Sequence, residues 1–233
     1  MSAKRQIFTM TCVLMLLMGA AREAHVRNAY NACECDCMDV LVMIDSGAVN
    51  EPDFKLVRNT VSDLSALYQI GQSNVRFAMI AFSDVIDNTF NFDAFNDSNT
   101  LVNAIQQIQY KGGAQTNMRL GFMAALERFK MDDRTIYKSL VLYSDGRSTM
   151  GGDAWGTAAL LRFTYGITVI AVGIPGVRGP VDLTSLTHIC GNTDYIVSIN
   201  NIADLPHTVV DIDDLFPCDC ASTCTPTVSP PIS

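Results

Sequence analysis

The chain has 233 residues, of which 48% are hydrophobic and 17% are charged, and its formal net charge at pH 7 is −8. This length suits one globular domain of about 180 residues with additional segments at both ends. An acidic chain is repelled by polyanions, so we expect neither a nucleic acid nor an anionic membrane surface as a partner.

The N-terminus has the pattern of a secretory signal peptide. Lys4 and Arg5 precede an apolar run over 7–18, and the small residues 19–21 follow that run. The apolar run is shorter than the roughly 20 residues that a membrane-spanning helix needs. We therefore predict a signal peptide over 1–21 and a secreted, extracellular mature chain without a membrane span.

Cysteines stand in two groups, one on each side of the central part of the chain. In the oxidising compartment that a secreted protein enters, such groups are expected to form disulfides. Bridges between the two groups would hold the ends of the domain together. The candidates are Cys33, Cys35 and Cys37 before the domain and Cys218, Cys220 and Cys224 after it.

Cys190 is isolated from both groups. We predict a buried free thiol there, because no histidine or basic cluster stands close enough to favour a thiolate. The alternative is that the odd cysteine bridges to another chain, which would give a disulfide-linked oligomer.

Two apolar runs each end in an aspartate. The run 40–44 is typical of a strand buried on both faces, and Asp45 follows it directly. After Ser139, the run 140–143 has the same character and leads through Ser144 to Asp145. Because open α/β sheets bind ligands at the carboxyl ends of their strands, we expect these two carboxylates to lie side by side at one sheet edge.

Strands and helices alternate along the rest of the chain, which predicts an α/β fold with a mostly parallel sheet. With the two runs above, the predicted strands are six in number. Trp155, in the predicted helix 154–165, is predicted to lie in the hydrophobic core. The predicted further strands are 75–82, 89–92, 167–174 and 195–199, and the predicted helices are about four turns from Pro52, then 101–108, 116–129, 154–165, 182–189 and 203–216.

Three segments of the chain form a recognisable combination: residues 42–45, Gly112 and Gly113 with Thr116, and residues 142–148, with residues 170–174 in support. On these segments the sequence resembles a von Willebrand factor type A (vWA) domain over residues 39 to about 216. The resemblance implies a doubly wound, six-stranded sheet with helices on both faces. The predicted organisation is a signal peptide over 1–21, a Cys-rich segment over 22–38, a vWA-like domain over 39–217 and a Cys-containing Ser/Thr/Pro-rich tail over 218–233.

In the vWA family, an Asp-x-Ser-x-Ser run, a Thr and a second Asp form a metal-ion-dependent adhesion site. The site holds Mg²⁺ or Mn²⁺ and leaves a position open for a carboxylate of the partner. Carboxylate and hydroxyl oxygens suit such hard cations. The resemblance therefore implies that Asp45, Thr116 and Asp145 are metal ligands.

The serines of the family pattern do not carry over directly. After Asp45 the first serine is displaced by one position and the second is missing. If one residue is deleted here, Ser46 stands in for the first serine and Ala48 replaces the second. The resemblance thus implies either a weakened Mg²⁺ or Mn²⁺ site or a family member that kept the fold and lost the ion.

The repulsion between the two acids bears on whether the site holds an ion. Two carboxylates about 5 Å apart repel each other by roughly 3 kcal/mol at an effective dielectric constant of 20. We therefore expect an offset from a cation, from backbone N–H groups at helix N-termini, or from a proton on one of the acids.

Residues 41–48 also resemble the catalytic loop of retropepsin-like aspartic proteases, in which an Asp-Ser/Thr-Gly aspartate activates water. Those proteins are all-β and pair two such aspartates, whereas this chain has one Asp-Ser-Gly run and an α/β pattern. The histidines, at 25, 188 and 207, are too scattered to propose a catalytic triad. We therefore predict that the chain is not an enzyme.

We predict a secreted vWA-type binding or adhesion module for an extracellular protein or matrix ligand. The partner would dock on the edge formed by Asp45, Ser46, Thr116 and Asp145, with loops 84–88 and 146–153 around it. The alternative is a structural extracellular protein that self-associates through an unpaired cysteine or through its tail. Asn96 begins the sequon Asn-Asp-Ser and is the candidate for N-glycosylation.

Overall fold

The computed structural model of the protein describes residues 37–132 and 134–217. The predicted signal peptide, the tail and all of the candidate disulfide cysteines other than Cys37 and Cys190 lie outside the described residues.

The described residues form a six-stranded sheet with the strand order β3-β2-β1-β4-β5-β6. Every neighbouring pair is parallel except β2 and β3, which are antiparallel. The predicted α/β class with a mostly parallel sheet is confirmed. The strands are β1 (Met38–Asp45), β2 (Arg76–Phe82), β3 (Ile86–Phe90), β4 (Tyr137–Ser144), β5 (Thr168–Gly173) and β6 (Ile196–Ser198).

The central strands are covered on both faces. All eight residues of β1 and all seven of β2 are buried, as their unbroken apolar runs predict for parallel strands. Alternate side chains of β1 point to opposite faces, so Leu41 and Met43 join a core cluster with helix residues on one side only.

The helices start at well-defined N-caps. An Asn or Asp side chain accepts a hydrogen bond from the first turn of each of the five longer helices, which satisfies an otherwise unpaired backbone donor. The α-helices are α1 (Glu51–Ser65), α2 (Ser98–Gln107), α3 (Met118–Lys130), α4 (Ala154–Tyr165), α5 (Leu183–Cys190) and α6 (Val209–Asp213).

The helices divide into two layers. The contacts of α4 with α3 and with α5, and the core cluster that these three helices share with the sheet, place them together on one face. Helix α1 contacts α2 and α6 in the other layer. No helix within the described ranges is long and apolar enough to cross a bilayer.

Three predicted elements differ from the structure. The edge strand β3 begins at Ile86, earlier than the predicted 89, because a tight turn from Ser83 to Val85 reverses the chain at once. Helix α1 ends at Ser65, so Leu67 is exposed instead of facing the core. The predicted closing helix is a 3₁₀ helix, Ile202–Thr208, followed by α6, because Pro206 lacks the N–H that an α-helix interior requires.

The strand order reverses at the centre of the sheet. From β1 the chain proceeds to β2 and β3 on one side, and then to β4, β5 and β6 on the other. The carboxyl ends of β1 and β4 are therefore adjacent at the switch point of a doubly wound sheet, where such folds bind ligands.

Candidate binding site at the carboxyl edge of the sheet

Three polar side chains from distant parts of the sequence meet at this switch point. Asp45 ends β1, Asp145 follows β4, and Thr116 precedes α3. The Thr116 Oγ1 hydroxyl donates to Asp45 Oδ1 at 2.7 Å. All three residues are fully buried. The structure thus brings together three of the four residues that the sequence predicts for the site, with Ser46 as the exception.

The carboxylate of Asp45 is held by hydrogen-bond donors. Oδ1 also accepts from the Ala48 backbone N–H at 3.1 Å, and Oδ2 accepts from the Ser144 hydroxyl at 2.8 Å. Burial raises the pKa of Asp45 to about 6, while the hydrogen bonds from Thr116 and Ser144 and the charge of Arg178 act in the opposite direction.

Asp145 is paired with an arginine that sequence reasoning did not single out. The Arg178 guanidinium donates from Nε to Asp145 Oδ2 and from Nη2 to Asp145 Oδ1, both at 3.0 Å. Its Nη1 donates to Thr116 Oγ1 at 2.9 Å, and Nη2 lies 3.5 Å from Asp45 Oδ2. One guanidinium therefore contacts both acids and the threonine.

A tight turn after β5 positions Arg178. Gly176 and Gly179 exchange two backbone hydrogen bonds of 3.1 Å, with Arg178 between them, and the Val177 N–H donates to Ala48 O at 2.9 Å. A Cβ on Gly176 would lie 2.3 Å from Ala48 O, so only glycine allows the turn to pack this closely on the loop after β1.

Ser46 does not join the cluster. Its hydroxyl lies 2.9 Å from Phe82 O and 2.8 Å from Asp87 Oδ2, so it connects β1 to β2 and to the β3 edge strand. The family spacing would place its serines at 47 and 49, where this chain has Gly47 and Val49. A Cβ at 47 would lie 2.5 Å from Gln115 O and 2.9 Å from Thr116 Oγ1, so no side chain fits there as the loops stand.

These residues do not fit a divalent cation in their present arrangement. Mg²⁺ requires about six oxygen ligands at roughly 2.0 to 2.1 Å in octahedral geometry. Asp45, Thr116 and Asp145 supply oxygens, but positions 46–49 add no hydroxyl to the cluster and a guanidinium lies among the three ligands. Within the described ranges no group of three or more His, Cys, Asp or Glu residues could hold a metal ion.

Ser144 and Arg178 are the site residues that sequence reasoning missed. In the sequence Ser144 stands out only as the residue before Asp145, yet its hydroxyl connects the two acid-bearing strands. For Arg178 the available signal was the spacing Gly-x-Arg-Gly directly after the strongest strand pattern, since a lone basic residue in a glycine turn at the acid-bearing edge can reach a carboxylate.

An open cavity of about 630 Å³ adjoins the site. Trp155, at the start of α4, forms part of its wall and is 46% exposed, so the prediction that it lies in the core is wrong. Its ring stacks on His188 with the centroids 4.1 Å apart, and its Nε1 donates to Ser185 Oγ at 3.1 Å. The cavity is lined by Gly146, Arg147, Ser148, Thr149, Gly152, Asp153, Ala154, Trp155, Asp182 and Ser185.

Several sequence-predicted features outside the cluster can also be placed. Cys190 is a buried free thiol, as predicted, and burial raises its pKa to about 12. Cys37 is disulfide-bonded. Asn96 is exposed just before α2. The aspartic-protease interpretation is wrong at the level of the fold, because Asp45 belongs to an α/β sheet.

The doubly wound sheet with a polar cluster at its switch point defines a class of α/β ligand-binding domain. The family model for the von Willebrand factor type A domain matches residues 39–211. The chain belongs to the vWA domain family.

Comparisons with individual proteins agree with that assignment. The chain is 26% identical over 182 residues to the human collagen alpha-6(VI) chain, covering 76% of this chain and 8% of the relative. It is 25% identical to von Willebrand factor A domain-containing protein 2 of Xenopus laevis, covering 75% of this chain and 22% of that protein. The chain thus spans less than a quarter of the length of these relatives.

A solved structure shows the same fold. Proximal thread matrix protein 1 from the mussel byssus, solved with a zinc-occupied metal-ion-dependent adhesion site (MIDAS) motif, superimposes on this chain with a TM-score of 0.71 at 24% identity. The match covers 78% of this chain and 49% of that one.

Proposed function

We propose that this chain is a secreted extracellular module that binds a protein or matrix partner, and that it is not an enzyme. The docking surface, called the rim below, consists of the carboxyl edge of β1 and β4 with loops 84–88 and 146–153 and the turn 176–179. The relatives support the proposal, since one is a collagen chain and another carries the vWA name.

The observation that carries the proposal is the set of exposed apolar side chains around the polar cluster. Val85, Met150, Trp155 and Val177 are each more than a third exposed, and all four stand on rim segments or border them. Aromatic residues and methionine are enriched at protein interfaces, where a few such anchors provide most of the binding energy.

Backbone hydrogen bonds hold the rim segments 84–88 and 146–153. The Met150 and Thr149 N–H groups donate to Thr116 O, and the Ser83 N–H donates to Val85 O. Anchors held in this way lose little conformational freedom on binding, which lowers the entropic cost of association.

A second candidate function is self-association as a structural extracellular protein. Burial of the Cys190 thiol at the C-terminal end of α5 argues against Cys190 as the intermolecular bridge in the native state. A second copy of the chain could still dock on the rim, and comparison of non-reducing with reducing electrophoresis separates covalent from non-covalent assembly.

The proposal is tested by surface plasmon resonance of the purified chain over immobilised fibrillar collagen, laminin, fibronectin and a second copy of the chain. We expect saturable binding to at least one of these. Met150→Glu and Val177→Glu should weaken that binding at least tenfold, about 1.4 kcal/mol, because they place a charge on the apolar anchors.

Phe163→Glu is the matched control. Phe163 is 81% exposed on α4, more than two turns away from the rim end of that helix. It should leave binding unchanged. Equal losses in the control and the rim variants, or no binding to any of the four surfaces, would contradict the proposal.

A further inference from the structure

We propose that Arg178 is a covalently tethered cation that occupies the position a metal ion would take in this site. The guanidinium then bridges and neutralises the site in place of Mg²⁺ or Mn²⁺. The inference concerns the same rim as the proposed function. Its test requires no partner, so the two proposals can fail independently.

The contacts of the guanidinium match those expected of a central cation. Arg178 bonds to both oxygens of Asp145, bonds to Thr116 Oγ1 and forms an ion pair with Asp45. These are the three side chains to which the family resemblance assigns the metal. A single side chain thus neutralises and bridges the loops that an ion would otherwise connect.

The hydrogen-bond directions are mutually consistent. Thr116 Oγ1 donates its proton to Asp45 and accepts one from Arg178 Nη1. The two parallel bonds to Asp145 use the planar fork of the guanidinium, the geometry in which arginine binds carboxylates most strongly. A lysine could not reproduce this arrangement.

The backbone holds Arg178 in place. The turn from Gly176 to Gly179 is closed by two hydrogen bonds and attached to the loop after β1 through Val177 N–H and Ala48 O. The Arg178 side chain is only 18% exposed. It is therefore part of the packed edge and not a surface arginine that happens to pass near an acid.

A bound metal and this guanidinium exclude each other. Nε and Nη2 stand at hydrogen-bond distance from the two Asp145 oxygens, in the space that an ion about 2 Å from a carboxylate oxygen would need. The missing serine hydroxyls reduce the ligand set further, and at position 47 a Cβ would lie 2.5 Å from Gln115 O, so a serine does not fit there as the loops stand.

The tethered cation also accounts for the charge balance. Asp45 and Asp145 are both buried, and their repulsion needs an offset. Arg178 lies between them, and the Arg147 guanidinium stands 4.0 Å from Asp145 Oδ2 at the solvent side. Two positive charges therefore face two carboxylates without a metal.

The first arm of the test is calorimetric titration of the purified wild-type chain with Mn²⁺, together with thermal unfolding in Mn²⁺ and in chelator. We expect no heat of binding up to millimolar Mn²⁺ and the same Tm in all conditions. A wild-type chain that binds one Mn²⁺ at micromolar concentration, or whose Tm falls in chelator, would overturn the proposal.

The second arm removes the tether. Arg178→Ala should lower the Tm and should acquire a Mn²⁺ response, with a rise of roughly 5 to 10 °C at a hundredfold excess over Kd. Adding Asp145→Ala should abolish that response. Arg147→Ala is the matched control, because it removes an arginine near the same acid without opening the site, and it should remain indifferent to Mn²⁺.

Arg178→Lys keeps the positive charge and serves as a second variant in case Arg178→Ala does not fold. It should fold, should be less stable than the wild type because the bidentate pair is lost, and should show no Mn²⁺ response. An Arg178→Ala chain that folds and ignores Mn²⁺, or an Arg147→Ala chain that responds equally, would contradict an ion position filled by Arg178.

Discussion

The hydroxyl of Ser144 donates a 2.8 Å hydrogen bond to Asp45 Oδ2, across 99 positions of sequence. The same hydroxyl oxygen accepts from the Gly146 N–H at 3.0 Å. The end of β4 is therefore connected directly to the end of β1, and this connection holds the two acid-bearing loops at a fixed separation.

Ser144→Ala should destabilise the fold by about 1 to 3 kcal/mol, because the buried Asp45 Oδ2 loses its 2.8 Å hydrogen bond and keeps only the longer contact with Arg178. Urea unfolding of the variant measures the loss. Ser139→Ala is the matched control on the same strand. Ser139 is buried, and its hydroxyl has no hydrogen-bond partner among the described residues, so its removal should be neutral or slightly stabilising. Equal losses in both variants would contradict this account.

A buried ion network at the opposite edge of the sheet should contribute strongly to stability. Arg76 donates from Nε and Nη2 to the two oxygens of Asp39 at 2.8 and 2.7 Å and also pairs with Asp132. Arg76→Ala should cost about 3 to 5 kcal/mol, because it leaves two buried carboxylates with less compensation.

The exposed pair Glu127–Lys130 on α3 is the comparison for that measurement. Glu127→Ala should change the unfolding free energy by at most about 1 kcal/mol, because solvent screens the pair. A loss below 1 kcal/mol in Arg76→Ala would show that the Asp39 network does not stabilise the fold.

Stability should depend on pH through Asp45. Burial raises its pKa from 3.8 in the unfolded chain to about 6. The native state therefore holds this proton more tightly, and the stability contributed by the protonated form is complete below about pH 4 and is lost as the pH rises through 6.

Asp45→Asn isolates that contribution, since an asparagine does not titrate. Relative to the wild type, the variant should gain roughly 2 to 3 kcal/mol of unfolding free energy between pH 4 and pH 7. Urea unfolding at a series of pH values measures the difference. A constant difference across this range would show that the pKa of Asp45 is not raised.

Cys190 should be unreactive in the native protein. Burial raises the pKa of its thiol to about 12, so little thiolate forms near neutral pH. Iodoacetamide at pH 8 followed by peptide mass spectrometry should leave Cys190 unmodified, and modification should become complete in guanidinium chloride. Rapid labelling of the native chain would instead support a role for Cys190 in linking chains.

The sequence was sufficient to predict the fold and the two carboxylates because both follow from local patterns. A fully apolar run predicts a strand buried on both faces, and the residue after it must lie at the carboxyl edge. Thr116 could be predicted as a site residue from the family resemblance, which depends on Gly112 and Gly113 before it.

The directions in which individual side chains point could not be predicted from such local patterns. Ser46 is adjacent to Asp45 in sequence, yet its hydroxyl points to Asp87, because neighbouring side chains on a strand end face opposite ways. Arg178 stands 33 residues after Asp145 in a turn with no periodic pattern, and its place depends on the packing of Gly176 against Ala48. Trp155 was assigned to the core on residue type alone.

The most direct test of the central claim is a crystal structure of the wild-type chain grown in Mn²⁺, with anomalous data collected near the manganese edge. We predict that the Arg178 guanidinium bridges Asp145 and Thr116 and that no anomalous peak lies near either aspartate. A manganese peak at coordination distance from Asp45 or Asp145 oxygens, with Arg178 turned toward solvent, would contradict the account.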